Sequence, residues 1–188
     1  MKAIQLNSKA ILFIIGLFVI GFSACNSSQY GKKVKEPFSG SKYESNNNWF
    51  RAVGKGTSVK DNIAKSKADM DAKTILAGQL NTSVKKVTDQ YLGQTENADA
   101  ADVADKFQSL AREVMNTEMA DLRKFDEEKY FDGEKYTVFV AYEIKKNAMF
   151  RFLKKQAKTS DKLNDSERKT IEKIIDEELE RLDANDVD

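Results

Sequence analysis

The chain contains no histidine in 188 residues. That excludes zinc sites built from His and Cys, and any Ser-His-Asp triad. Acid–base chemistry would fall to carboxylates, lysines or tyrosines. The carboxylates are interleaved with lysines along helical stretches, the pattern of a solvated face. Only one cysteine is present, Cys25. It has no partner for a disulfide within the chain, and a catalytic thiol would lack a histidine base. Charge of one sign is not in excess, with 31 basic and 30 acidic residues. A general nucleic-acid binder needs a basic surplus on some face, so no nucleic-acid partner is expected. The Walker pattern is absent. Gly54-Lys55-Gly56 lacks the third glycine of a dinucleotide turn, because position 59 is Val59. No cofactor, metal or catalytic residue is expected.

What is present begins with one long apolar run. Lys2 and Lys9 precede an uncharged stretch over 10–21, which closes as Gly21-Phe22-Ser23-Ala24-Cys25-Asn26. Basic segment, apolar segment and small-residue site are the order of a secretory signal. A cysteine directly after Ser23-Ala24 is what bacterial lipoprotein processing requires, although Phe22 stands where leucine is usual. The expected chemistry is a thioether from Cys25 to diacylglycerol, cleavage before Cys25, and acylation of the new amine. The apolar residues 10–24 number fifteen, short of the ~20 that cross a bilayer as a helix. Cleavage would remove Lys2 and Lys9 and leave 29 basic against 30 acidic residues. No acidic run follows Cys25, which favours a protein facing the periplasm.

Four segments are expected: a signal peptide over 1–24, a lipidated flexible tether over 25–48, a domain over 49–157, and a C-terminal helix with a frayed tail over 158–188. The tether is rich in Ser, Asn and Gly, with Pro37, and sparse in apolar residues. Trp49 opens a short strand ending at Gly54 and Gly56. Ser58 and Asp61 have capping-box spacing. A helix follows with apolar positions at Val59, Ile63, Ala68, Ala72, Ile75, Leu76 and Leu80, broken near Gly78. Residues 82–92 read as a strand, with continued helix as the alternative. A second helix over 99–118 carries Val103, Phe107, Leu110, Ala111, Val114 and Met115. Then 122–130 and 135–143 flank an Asp132-Gly133 hairpin signal. Neither face of 136–144 is polar, so both are expected to be covered. A helix over 145–158 carries Ala148, Met149, Phe152 and Leu153. Asp165-Ser166 would cap a last helix. The fold class is α+β, a mainly antiparallel sheet with helices on one face, in the order β-α-β-α-β-β-α-α.

Several residues are candidates for contact. An anion would bind at the helix N-terminus beside Gly56 and Ser58; the competing reading gives Gly54 and Gly56 a turning role. Trp49 would anchor the first strand to the core. Tyr130, Phe131, Tyr136, Phe139 and Tyr142 would form cross-strand core pairs. Ile171, Ile174, Ile175, Leu179 and Leu182 repeat at near-heptad spacing. That stripe packs on its own domain or pairs with the same helix of a second molecule, as oligomer contacts. Lys145-Lys146 and Lys154-Lys155 could face anionic lipid.

Taken together, the lipobox, the Trp-containing strand ending in Gly-x-Gly, the alanine-rich helix 62–72, the 84–92 segment and the hairpin ending in Tyr136-Thr137-Val138-Phe139-Val140 resemble the LPP-twenty lipoprotein family. The likeness covers about 49–144. It implies a non-enzymatic α+β domain anchored in the outer membrane, in some members assembled into oligomers. The extended helical C-terminus departs from it. The expected function is a membrane-anchored, non-catalytic structural or protein-interaction module of the bacterial envelope. Binding of a small lipid or glycan in a sheet–helix groove is the alternative, and a carboxylate-based hydrolase a third reading.

Overall fold

The computed structural model describes residues 31, 34–117 and 121–184. Cys25, the signal segment and the first part of the expected tether lie outside the described residues. The chain divides between Lys35 and Glu36, and the fold below is that of Glu36–Asp188. A single 3-10 turn at Ser41–Tyr43 precedes strand β1 (Trp49–Ser58). Then come helices α1 (Asp61–Leu92) and α2 (Ala100–Thr117), strands β2 (Arg123–Phe131) and β3 (Tyr136–Lys145), and helices α3 (Lys146–Thr159) and α4 (Asp165–Ala184). The fold is α+β. The sheet is antiparallel throughout, in the order β1-β3-β2.

Alternation along the strands assigns the two faces. Phe50, Ala52, Gly54 and Gly56 alternate as the buried positions of β1. Val138, Val140, Tyr142 and Ile144 of β3 join Phe50 and Ala52 in the core with residues of all four helices. At Gly54 and Gly56 helix α1 lies against bare backbone. A Cβ on Gly54 would sit 2.1 Å from Ala68 O, and one on Gly56 would sit 2.0 Å from Ala64 O. Ala64, Ala68 and Ala72, all fully buried, complete the approach from the helix side. The two glycines are thus neither a turn nor part of an anion site. They permit contact between strand and helix with no side chain between.

The stretch 82–92 is helix, not strand. Buried residues of α1 recur every fourth position as Ala64, Ala68, Ala72, Leu76, Leu80, Val84 and Thr88. Four residues turn about 400° at 3.6 per turn, so the stripe drifts about 40° at each step. Small residues therefore face the sheet in the first half, and larger ones meet helices in the second. Thr88 Oγ1 accepts from Gln108 Nε2 of α2 at 3.0 Å. Val59, Ile63 and Ile75, expected on the buried stripe, are exposed. Gly78 does not break the helix, which runs on to Leu92 with Gly93 as its C-cap.

Other boundaries move for local reasons. Ser58 is still strand, and its Oγ accepts from Lys60 N at 3.2 Å, while Lys60 is the N-cap with no side-chain cap bond. Asp61 pairs instead with Lys129 Nζ at 2.5 Å. The capping box of α4 lies one residue earlier than Asp165: Glu167 N donates to Asn164 Oδ1 and Asn164 N to Glu167 Oε2, each at 3.0 Å. The hairpin forms at Asp132-Gly133 as expected, with Gly133 at φ 100 and Asp132 Oδ1 accepting from Glu134 N and Lys135 N.

The expected oligomer stripe is internal. Ile171, Ile174, Ile175 and Leu182 are buried and Leu179 partly so, all in the core of their own chain. Its near-heptad period arises because α4 packs along α3 as a helical pair.

Candidate functional site

The helices cover one face of the sheet. The other face carries Trp49, Arg51, Val53, Lys55 and Thr57 from β1, opposite Lys145, Glu143, Ala141, Phe139 and Thr137 of β3. From β2 it receives Arg123, Asp126, Glu128 and Tyr130. Tyr130 packs edge-on to Phe139 at 6.0 Å. Phe125 is the extra residue of a bulge between Lys124 and Asp126.

Part of the expected tether covers this face. Phe38 stacks on Tyr43 at 4.8 Å, and Tyr43 on Phe125 at 5.7 Å. Tyr43 OH donates to Asp126 Oδ2 at 2.8 Å, Lys42 Nζ pairs with the same oxygen at 3.1 Å, and Glu36 pairs with Lys55 at 3.2 Å. The bonds from Tyr43 and Lys42 hold the Asp126 carboxyl below the usual carboxylate range. Residues 36–48 therefore form an ordered strap, and the domain begins before Trp49. Two aromatic rings among serines and glycines suffice, because they meet a ring exposed by the bulge.

The strap also closes the outer edge of β1. Asn46 N donates to Trp49 O at 3.1 Å, and Asn46 Oδ1 accepts from Trp49 N at 2.9 Å. Arg51 N donates to Ser45 Oγ at 2.8 Å, and Arg51 O accepts from Gln79 Nε2 at 2.9 Å. Further along, Asp71 accepts from Lys55 N and Lys67 donates to Thr57 O. Side chains thus occupy a row of groups that a free edge would offer to another strand.

At the start of β1 the face is ionic. Glu143 is 4% exposed. Its carboxylate takes Arg51 Nε at 3.0 Å and Arg123 Nε at 3.1 Å, with a further bond from Arg123 Nη2. Burial alone would raise its pKa, but the two guanidiniums outweigh burial and hold it below the usual range. Trp49 lies beside this cluster rather than in the core, where Phe50 takes its place. Three cations sit over its ring: Arg51 at 5.7 Å, Arg123 at 5.9 Å and Lys145 at 5.4 Å. Lys146 Nζ lies over Phe50 at 5.0 Å. Glu143 was legible in the sequence as the lone acid in the apolar run Val138 to Ile144. A carboxylate buried there requires a cation, but nothing in the sequence pointed to Arg51 or Arg123.

The remaining candidates lie apart. Gly56 is beneath α1, Ser58 is at the far end of β1 from Trp49, and the α4 stripe is in the core. The close approach of α1 leaves no room for a ligand at Gly54 and Gly56. A polar cleft of about 290 Å³ opens between α1 and α2, lined by Asn81, Thr82, Val84, Lys85, Gln108 and Arg112. The buried carboxylates Glu143, Glu167 and Glu178 each hold a cation, Glu167 binding Lys106 at 2.7 Å and Glu178 binding Arg181. Among the described residues, no group of three or more acidic or Cys side chains is placed to hold a metal, and no helix is long and apolar enough to cross a membrane. No family model, curated protein or solved structure matches the chain, so the likeness to the LPP-twenty lipoproteins stands on the residues alone.

Proposed function

We propose that this chain is a lipid-anchored protein of the bacterial cell envelope that acts through surface contact rather than catalysis, as a structural or interaction module. The observation that carries the reading is Cys25, placed directly after Ser23-Ala24 at the end of the one long apolar run. The anchor places the domain at a membrane, in an outer membrane facing the periplasm. Its working surface is the sheet face opposite the helices, where Trp49, Arg51, Arg123 and Lys145 gather and the strap ends. The two arginines hold Glu143 in a rigid ion cluster, which fixes the indole and the cations around it for contact. In this reading the likeness to the LPP-twenty lipoproteins extends to anchor and domain, with no assembly carried over.

Fractionation of cells expressing the wild type and Cys25→Ala tests it. Wild type is expected in the membrane fraction, with the mobility of a processed, acylated chain. The variant is expected to remain unprocessed and to carry no acyl label. Equal processing of the two chains, or label on neither, would overturn the anchor.

A further inference from the structure

We propose that the Trp49 end of the sheet docks on anionic phospholipid headgroups. The register places Lys145 opposite Trp49, and Lys146 N donates to Asn48 O at 2.9 Å, so the strand start and the β3–α3 junction form one surface. Arg51 and Arg123 lie one step inward. Lys146 Nζ lies over Phe50 at 5.0 Å; burial first of all lowers its pKa, the charges of Arg181 and Lys86 act the same way, and Glu178 opposes them. On the face opposite the helices three cations, Arg51, Arg123 and Lys145, thus gather around Trp49 against the one buried carboxylate of Glu143, with Lys146 at the edge of the same end on the helix side. Glu143 and Glu178 are each 4% exposed, and each is ion-paired with arginine, the exposed Arg123 and Arg181 among them.

Among the described residues, no carboxylate forms an ion pair with Lys86, Lys145 or Lys146. Lys145 and Lys146 also stand at the start of α3, whose first turn contains no acidic residue. Cations at a helix N-terminus oppose the helix dipole. This concentration of like charge is unfavourable in the isolated protein and is relieved against an anionic surface. Trp49 supplies the amphipathic ring that settles at the headgroup level. Lysine stems can lie along apolar surface while their ammonium groups reach phosphate.

The proposal rests on the anchored reading for its setting. Ten residues lie between Cys25 and Glu36, and the eleven steps from one to the other span at most about 36–40 Å. A domain so tethered stays near the surface, where weak attraction suffices.

The test uses residues 36–188, which contain the whole core, with phosphatidylcholine vesicles made with and without phosphatidylglycerol. Co-sedimentation is expected only with phosphatidylglycerol. Trp49 is the sole tryptophan, so a blue shift of its emission on binding reports this surface directly. The double variant Lys145→Gln/Lys146→Gln should weaken binding by roughly twenty- to thirtyfold, at about fivefold per basic side chain. The double variant Lys60→Gln/Lys135→Gln, at the opposite end of the sheet, should leave it unchanged. Absence of binding, equal weakening by both pairs, or binding with unshifted emission would overturn the proposal. The segment lacks Cys25, so these outcomes are read without the anchor, and the fractionation result is read without them.

Discussion

Glycine has opposite roles in β1 and in α1. At Gly54 and Gly56 the absent Cβ is occupied by helix backbone, so neither neighbour can yield without moving α1. Gly54→Ala or Gly56→Ala should lower stability by about 3 kcal/mol or more, beyond ordinary overpacking. Nothing lies within 4 Å of a Cβ on Gly78, which is exposed in mid-helix. Gly78→Ala should therefore stabilise by about 1 kcal/mol. Urea midpoints read both, and the pair fails if the signs agree. Glu143 carries a second prediction. Glu143→Gln leaves two guanidiniums without their carboxylate and should cost about 2 kcal/mol at neutral pH, discounted because Arg123 is exposed. Its folded pKa is depressed, so its contribution is present above the unfolded carboxylate pKa and is lost as pH falls through the folded value. The gap between wild type and variant should close on acidification below the usual carboxylate range. A gap independent of pH would mean that the charge is not what stabilises.

The elements differ in how far the sequence disclosed them. Helix α2 was legible because Val103, Phe107, Leu110 and Val114 hold one face at three- and four-residue steps. The second half of α1 was not. A stripe that drifts about 40° per step changes its packing partner midway, and β-branched Val84, Val87 and Thr88 then imitate strand composition. Helix α4 was located correctly, but periodicity alone cannot say which surface an apolar stripe meets. The structure seats it inside its own domain. Ile175→Ala should cost about 3 kcal/mol as a core truncation, with the mass by light scattering unchanged. A lower mass without loss of stability would return the stripe to an interface between chains. Truncation after Ser160 would uncover the core, so it reports on folding rather than on assembly.

At the scale of the molecule, composition set the domain boundary too late. Ser, Asn and Gly over 36–48 resemble a linker, yet Phe38 and Tyr43 find the Phe125 ring, and Ser45 and Asn46 close the β1 edge. Such contacts join residues that stand far apart in sequence, as with Tyr43 and Asp126, and no local pattern records them. The ion cluster around Glu143 was hidden for the same reason, since it joins three strands. The strap is thus a structural part of the sheet, and a chain beginning at Trp49 should differ from one beginning at Glu36. It loses the bond from Tyr43 to Asp126, the stacked rings, and the Ser45 and Asn46 bonds to β1. Most of these are exposed, so the expected loss is about 2–4 kcal/mol in total. The freed edge groups of β1 then offer a template for a second chain. The shorter chain should unfold at lower urea and show a concentration-dependent mass by light scattering, while residues 36–188 match the stability of the longer protein. Coincident urea midpoints for the two truncations would show that residues 36–48 lie on the sheet without holding it.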